Sequence, residues 1–193
     1  MGKLSDRADQ VSNFCIHTRT IETSTYPVDD AHVLSVGRLM DLRHARSYGF
    51  TGRPHEAGPF HDLEVFLLLQ TSELVIEDIE VRIRKVPRKD CEALERSLDA
   101  AIGLRIGAGF TEKSKVMAGR GTGCIHLAHL LAVMAPAVLQ GCWALADRDR
   151  SDPDKTRHRA VSASLYLKDS CHTWRAEGDA YRELLYSVMN PVK

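Results

Sequence analysis

The sequence predicts an α+β fold, with hairpins of an antiparallel sheet packed on two main helices. Strand-like runs come in pairs along the first half of the chain, helix-like runs follow them, and turn chemistry separates the members of each pair. At 193 residues with 44% hydrophobic side chains, the chain is long enough for one substantial core and short for two. Residues 1–15 read as a flexible N-terminal segment and 16–146 as a single domain. Residues 147–158 read as a charged linker, and 159–193 as an extension packing back on the domain.

The first pair is TRTIETSTY, from Thr18 to Tyr26, and HVLSVGRLMDLRH, joined by a turn at Pro27 to Asp30. Ser47 to Pro59, with three glycines and two prolines, reads as an unusually long loop of the kind that often covers a site. Then come FHDLEVFLLLQ, from Phe60, and LVIEDIEVRIRKV, in which Val75, Ile79, Val81 and Ile83 include a period-two stretch that Pro87 ends. Lys89 to Ile102 places Leu94, Leu98, Ala101 and Ile102 at helical spacing, with Gly103 as a C-cap and Cys91 in the first turn. A glycine-rich connector, Gly103 to Gly123, leads into CIHLAHLLAVMAPAVLQGCWAL, an almost wholly apolar run that predicts a central buried helix kinked or divided at Pro136. The tail offers a strand-like SASLYL and then DSCHTWRAEGDAYRELLYSVM.

Charge excludes some functions. Lys plus Arg and Asp plus Glu both number 26, so no overall basic field recruits nucleic acid. The opening residues lack the apolar core of a secretory signal, and no run approaches the roughly 18 apolar residues of a membrane span. The expectation is a cytoplasmic protein with a small-molecule partner, and further copies of itself as the other partner to consider. Five cysteines without regular spacing read as reduced thiols. The connector lacks the Lys-Ser/Thr pair of a phosphate loop and any dinucleotide fingerprint, and no Gly-X-Ser-X-Gly elbow occurs.

What remains is a set of polar residues at element ends. His61 and Asp62 begin a strand after the long loop; His61 is a candidate base, and Asp62 either supports it or pairs with Arg19, Arg38 or Arg43. Cys91, Cys124 and His126 lie in first turns of helices, where free N–H groups lower a thiol pKa and favour anions. Cys91, Cys124 and His126 suit zinc or an iron–sulfur cluster by type, although residues two apart in a regular helix point in different directions. His129 reads as core, and Cys142-Trp143 and Cys171-His172-Thr173-Trp174 as packing.

Several of these pieces carry a resemblance: Arg19 to Ile21, Asp41-Leu42-Arg43, Phe60-His61-Asp62, Cys91, Gly103-Leu104 with Gly107 and Gly109, Gly123-Cys124-Ile125-His126-Leu127, and Cys171 to Trp174. Together they resemble the bacterial domain-of-unknown-function family number 2889 over nearly the whole chain. The resemblance implies a proteobacterial cytosolic protein linked with breakdown of aromatic and lignin-derived compounds. A looser architectural similarity is to the NifU-type iron–sulfur scaffold, whose Cys-Gly-Asp and adjacent His-Cys this sequence lacks.

The leading expectation is therefore a cofactor-independent lyase on a phenolic, lignin-derived compound, cleaving a carbon–carbon bond with aldehyde release. His61, Asp62, Cys124 and His126 are its candidate catalytic residues, and Arg19, Arg43, Tyr48 and Phe60 its substrate contacts. The alternatives are a zinc or iron–sulfur carrier using Cys91, Cys124 and His126, and a non-catalytic partner subunit, which predicts an exposed apolar patch.

Overall fold

The computed structural model describes residues 3–107, 109–118, 121–148 and 153–190. Four strands form one antiparallel sheet in the order β1 (His17–Pro27), β2 (His32–Arg43), β5 (Gly58–Gln70) and β6 (Val75–Lys85). Both expected strand pairs are present. The long loop between β2 and β5 holds a small hairpin of its own, β3 (Ser47–Tyr48) with β4 (Pro54–His55), which stands as a flap off the sheet.

Alternation along β2 and β5 decides which face becomes the core. Val33, Leu39, Leu63, Val65, Leu67 and Leu69 occupy odd positions and are almost fully buried against one helix. That helix is α3 (Ile125–Ala146), which buries Leu127, Ala128, Leu130, Leu131, Met134, Ala135 and Val138 and runs unbroken through Pro136. By length and composition α3 would cross a membrane, contrary to the expectation that no run approaches this. Its inner face lies on the sheet instead, and full burial of each large apolar side chain stabilises that docking by about 1.5–3 kcal/mol. His129 is on the exposed side of α3 and not in the core.

The opposite face of the sheet carries charge in register. Glu22 stands opposite Arg38, Arg38 opposite Glu64, and Glu64 opposite Arg82, giving alternating signs across all four strands. Arg38 also grips Asp62 with two bonds of 2.8 Å, and Arg84 reaches Glu64 at 2.8 Å.

Outside the sheet, several sequence expectations change. Helix α1 (Leu4–Val11) lies in the segment read as flexible and buries none of its residues. Lys89 to Ile102 is no amphipathic α-helix: it is a series of tight turns with 3-10 helix at Lys89–Leu94 and Asp99–Ala101. Its bonds run from residue i to i+3, as in Ala101 to Leu98 and Ile102 to Asp99. Leu98 and Ala101 still anchor it in the core, and Gly103 does end it, at φ +81°. The glycine-rich connector contains helix α2 (Phe110–Ala118), whose Phe110 is buried beside α3. SASLYL is not a strand: it lies within α4 (Pro153–Leu167), which pairs with α5 (Asp179–Met189). The Tyr166 hydroxyl donates to the Ile106 carbonyl at 2.7 Å and ties α4 to the domain. The charged linker is helical from Pro153, while residues 149–152 fall outside the described ones. Cys142 packs on the core, whereas Cys171, His172 and Thr173 form an exposed turn.

Two glycines let α3 approach closely. A Cβ on Gly37 of β2 would stand 2.4 Å from Met134 Sδ, and one on Gly141 of α3 would stand 2.5 Å from Thr25 Cβ of β1. Methionine can bend aside, but a β-branched threonine on a strand cannot. Gly141→Ala is therefore expected to lower stability by about 1–2 kcal/mol, because overpacking outweighs the roughly 1 kcal/mol gain in helix propensity. A urea midpoint that rose in this variant would show that α3 does not press on β1.

Candidate functional site

Register alone brings three charged or ionisable residues into a row. Arg19 of β1 stands opposite Asp41 of β2, and Asp41 stands opposite His61 of β5, all on the face toward α3. A bulge follows at Asp41/Leu42, and another at Asp62/Leu63 on the β6 side, so the pairing is irregular just where the row ends.

Asp41 is 3% exposed and would be costly there without partners. Arg19 donates Nε to Oδ1 at 2.7 Å and a terminal nitrogen to Oδ2 at 2.8 Å. The His17 Nε2 adds a bond to Oδ1 at 3.1 Å, and the His61 Nδ1 one to Oδ2 at 2.9 Å. Burial pushes the Asp41 pKa up, but hydrogen bonds from Arg19, His17 and His61 outweigh it and hold the carboxyl far below the usual carboxylate range. An ionised carboxylate only accepts, so His61 must carry its proton on Nδ1. Its Nε2 is left as a free lone pair, the arrangement of an acid–base dyad.

The N-terminus of α3 ends at this row. The His126 ring lies against that of His61 with centroids 4.1 Å apart and planes tilted by 32°. Cys124 is the N-cap residue of α3, one position before the helix starts, and its Sγ is 3.8 Å from His126 Nδ1. Burial lowers the pKa of both histidines; for His126 the neighbouring charges of His61 and Arg19 lower it further. Both rings are thus held neutral near neutral pH. The Cys91 pKa is raised, first by burial. The expected helix start at Cys91 is absent: the segment is 3-10 turns with no regular α-helix N-terminus.

Three of the expected residues, His61, Cys124 and His126, therefore come together, while Cys91 makes no hydrogen bond or ring contact with them among the described residues. Asp62 does not join them: it faces the other side of β5 and pairs with Arg38, since adjacent strand residues alternate. Arg19, expected to meet substrate, is committed to Asp41. The residues that sequence reasoning missed are Asp41 and His17; only the cross-strand register links them to His61, although the alternation of HVLSVGRLMDLRH places Asp41 on the apolar side.

Arg43, Tyr48 and Phe60 line one cleft of about 1060 Å3, between the β3–β4 flap and the segment after β6. Arg43 stacks on Phe60 at 3.4 Å, and Phe60 meets the His61 ring edge-on at 5.1 Å. Phe60 thus forms the wall between cleft and dyad. A smaller hollow, about 450 Å3 between β1 and the second half of α3, holds none of these groups.

Asp41, His61 and His126 each offer a ligand atom, all within 4.8 Å of one another, and a nitrogen–oxygen set of this kind is chemically suited to a transition metal. The carboxylate argues against that use. Each of its oxygens already accepts two N–H bonds, and the adjoining guanidinium repels a cation.

A family model described as a protein of unknown function, DUF2889, matches residues 17–140, which includes Arg19, Asp41, His61 and His126. No curated protein and no solved structure matches the chain.

Nitrogen NMR is expected to find His61 protonated at Nδ1 and bare at Nε2, taking up its second proton only below the ordinary 6.5. Arg19→Gln is expected to lower stability by about 2 kcal/mol by leaving Asp41 short of two charge-assisted bonds. The Asp41 contribution is present above pH 3.8, its ordinary value, and is lost as the pH falls below it, because the unfolded chain takes up that proton first. An Asp41→Asn chain whose acid stability profile matched the parent would remove this role.

Proposed function

The chain belongs to the DUF2889 family, and from its site we propose a cytoplasmic, cofactor-independent lyase that cleaves a carbon–carbon bond of a phenolic, lignin-derived compound and releases a small aldehyde. The observation that carries the reading is the dyad: a neutral imidazole with its tautomer fixed by a buried carboxylate and its free nitrogen unprotonated. A base of that kind operates best when its pKa lies near or below working pH.

In this reading His61 Nε2 removes the proton of a substrate hydroxyl. The O–H electron pair becomes the carbonyl bond of the departing aldehyde, and the carbon–carbon pair stays on the remaining fragment. That pair is delocalised toward the phenolic ring and then takes up the proton that His61 had accepted; His126, whose ring lies against that of His61, is the other candidate base. Atoms balance without an oxidant or reductant. Arg43 and the free N–H groups of the first turn of α3 are the donors available to developing negative charge. Phe60 and Tyr48 supply aromatic surface for the ring.

The second reading, a zinc or iron–sulfur carrier, is favoured by the contact of Cys124 with His126 alone, since Cys91 does not fall within ligand reach of them among the described residues. Metal analysis of protein purified without chelator separates the two: stoichiometric metal lost in Cys124→Ser supports the carrier.

Aldehyde release from a two-ring phenol bearing a hydroxymethyl group is the direct assay. His61→Ala and His126→Ala, made separately, are each expected to reduce turnover by about 100-fold or more. Undiminished turnover in the His61 variant removes the assignment.

A further inference from the structure

The chain carries no net charge, yet its cleft is cationic. Arg43, Arg53, Lys85, Arg88 and Lys89 line it, against Glu56, Asp90 and Glu92. Glu56 is bound to Arg46, so the acidic side is weaker than its number. Arg53, Lys85, Arg88 and Lys89 make no side-chain ion pair or hydrogen bond among the described residues. That sets them apart from Arg19, Arg38, Arg82 and Arg84 of the sheet, which are matched with carboxylates. Arg43 is fixed in the wall, stacked on Phe60 with one terminal nitrogen bonded to Ser47 Oγ at 2.6 Å.

Aromatic surface faces these free cations. Phe50, at the tip of the β3–β4 flap, is fully exposed, and Tyr48 is 65% exposed. Exposed apolar rings on a flap beside unpaired cations describe a place for a ligand that is flat and apolar at one end and anionic at the other. A volume of about 1060 Å3 is at the upper end of pockets that hold drug-sized ligands, which span roughly 300–1000 Å3. One aromatic ring would leave most of it filled with water.

From this we infer that the cleft binds an aromatic carboxylate of two or more rings. Its carboxylate meets Lys85 and Arg88, and its rings lie between Phe60 and the flap. The inference rests on the lyase reading only in naming this molecule as substrate; the binding itself follows from the cleft. Two functions then divide between neighbouring places. The cleft holds the acidic end of the molecule; neither His61 nor His126 lines it, so action on the other end requires that end to pass Phe60.

The test uses a probe that cannot react. Biphenyl-4-carboxylate has two rings and a carboxylate but no hydroxymethyl group, so its affinity, measured by calorimetry on the full chain, is independent of turnover. The methyl ester is expected to bind about tenfold more weakly, since two exposed ion pairs are lost, and added salt is expected to weaken the acid and not the ester. The exposed pair Lys85→Ala with Arg88→Ala is expected to abolish the difference between acid and ester while the far-ultraviolet spectrum is unchanged. Benzoate is expected to bind more weakly than the biphenyl acid. Equal affinity for acid and ester, or an acid preference that survives in the double variant, overturns the inference. The His61→Ala chain separates the two readings: turnover lost with probe affinity kept supports both, and turnover kept with probe affinity intact sinks the lyase alone.

Discussion

One buried carboxylate organises this end of the molecule. Asp41 sits in the middle of a three-strand row and accepts from groups on the strands to either side, so a charge that could not survive alone in the interior becomes a junction. Strand β1 depends on it most. None of its residues is fully buried, and much of what fastens its first half to the sheet beyond the backbone ladder is Arg19 and His17 reaching Asp41. The same carboxylate sets the tautomer of His61, so the integrity of the sheet edge and the chemical state of the base are one fact. Weakening either weakens both.

The position of α3 is the second constraint. Its apolar face fixes it on the core, while the missing side chains at Gly37 and Gly141 fix how near it comes. Rings with centroids 4.1 Å apart need that closeness, because the partners come from a strand and from a helix that share no backbone bonds. Packing along the length of the helix therefore controls the geometry at its tip.

The sheet was legible in the sequence because its signals are local: alternation in HVLSVGRLMDLRH and LVIEDIEVRIRKV, with turn residues between strands. Lys89 to Ile102 misled for the same reason. Its apolar spacing suits a helix, but 3-10 turns bury Leu98 and Ala101 equally well, and contacts with the core decide between them. SASLYL shows the converse, a strand-like run that the neighbouring helix partners hold as helix. In the site, His61, Cys124 and His126 were readable from their places at element ends. Asp41 was not, since what makes it important is a neighbour 20 residues away that only register supplies.

His61 and Asp62 are adjacent in the chain but serve opposite faces of the sheet, and this has a bearing on how the protein avoids misthreading. Slide β5 by one residue against β2 and Asp62 would stand opposite Asp41, while Glu64 would be driven in beside Leu39 and Val65 out beside Arg38. Two carboxylates would then face one another in the interior, and the charged ladder on the outer face would lose its alternation. An apolar sheet with no such markings could settle in the shifted arrangement at little cost. Here the ionic residues act as a proofreading device: the wrong alignment is disfavoured electrostatically, on both surfaces at once.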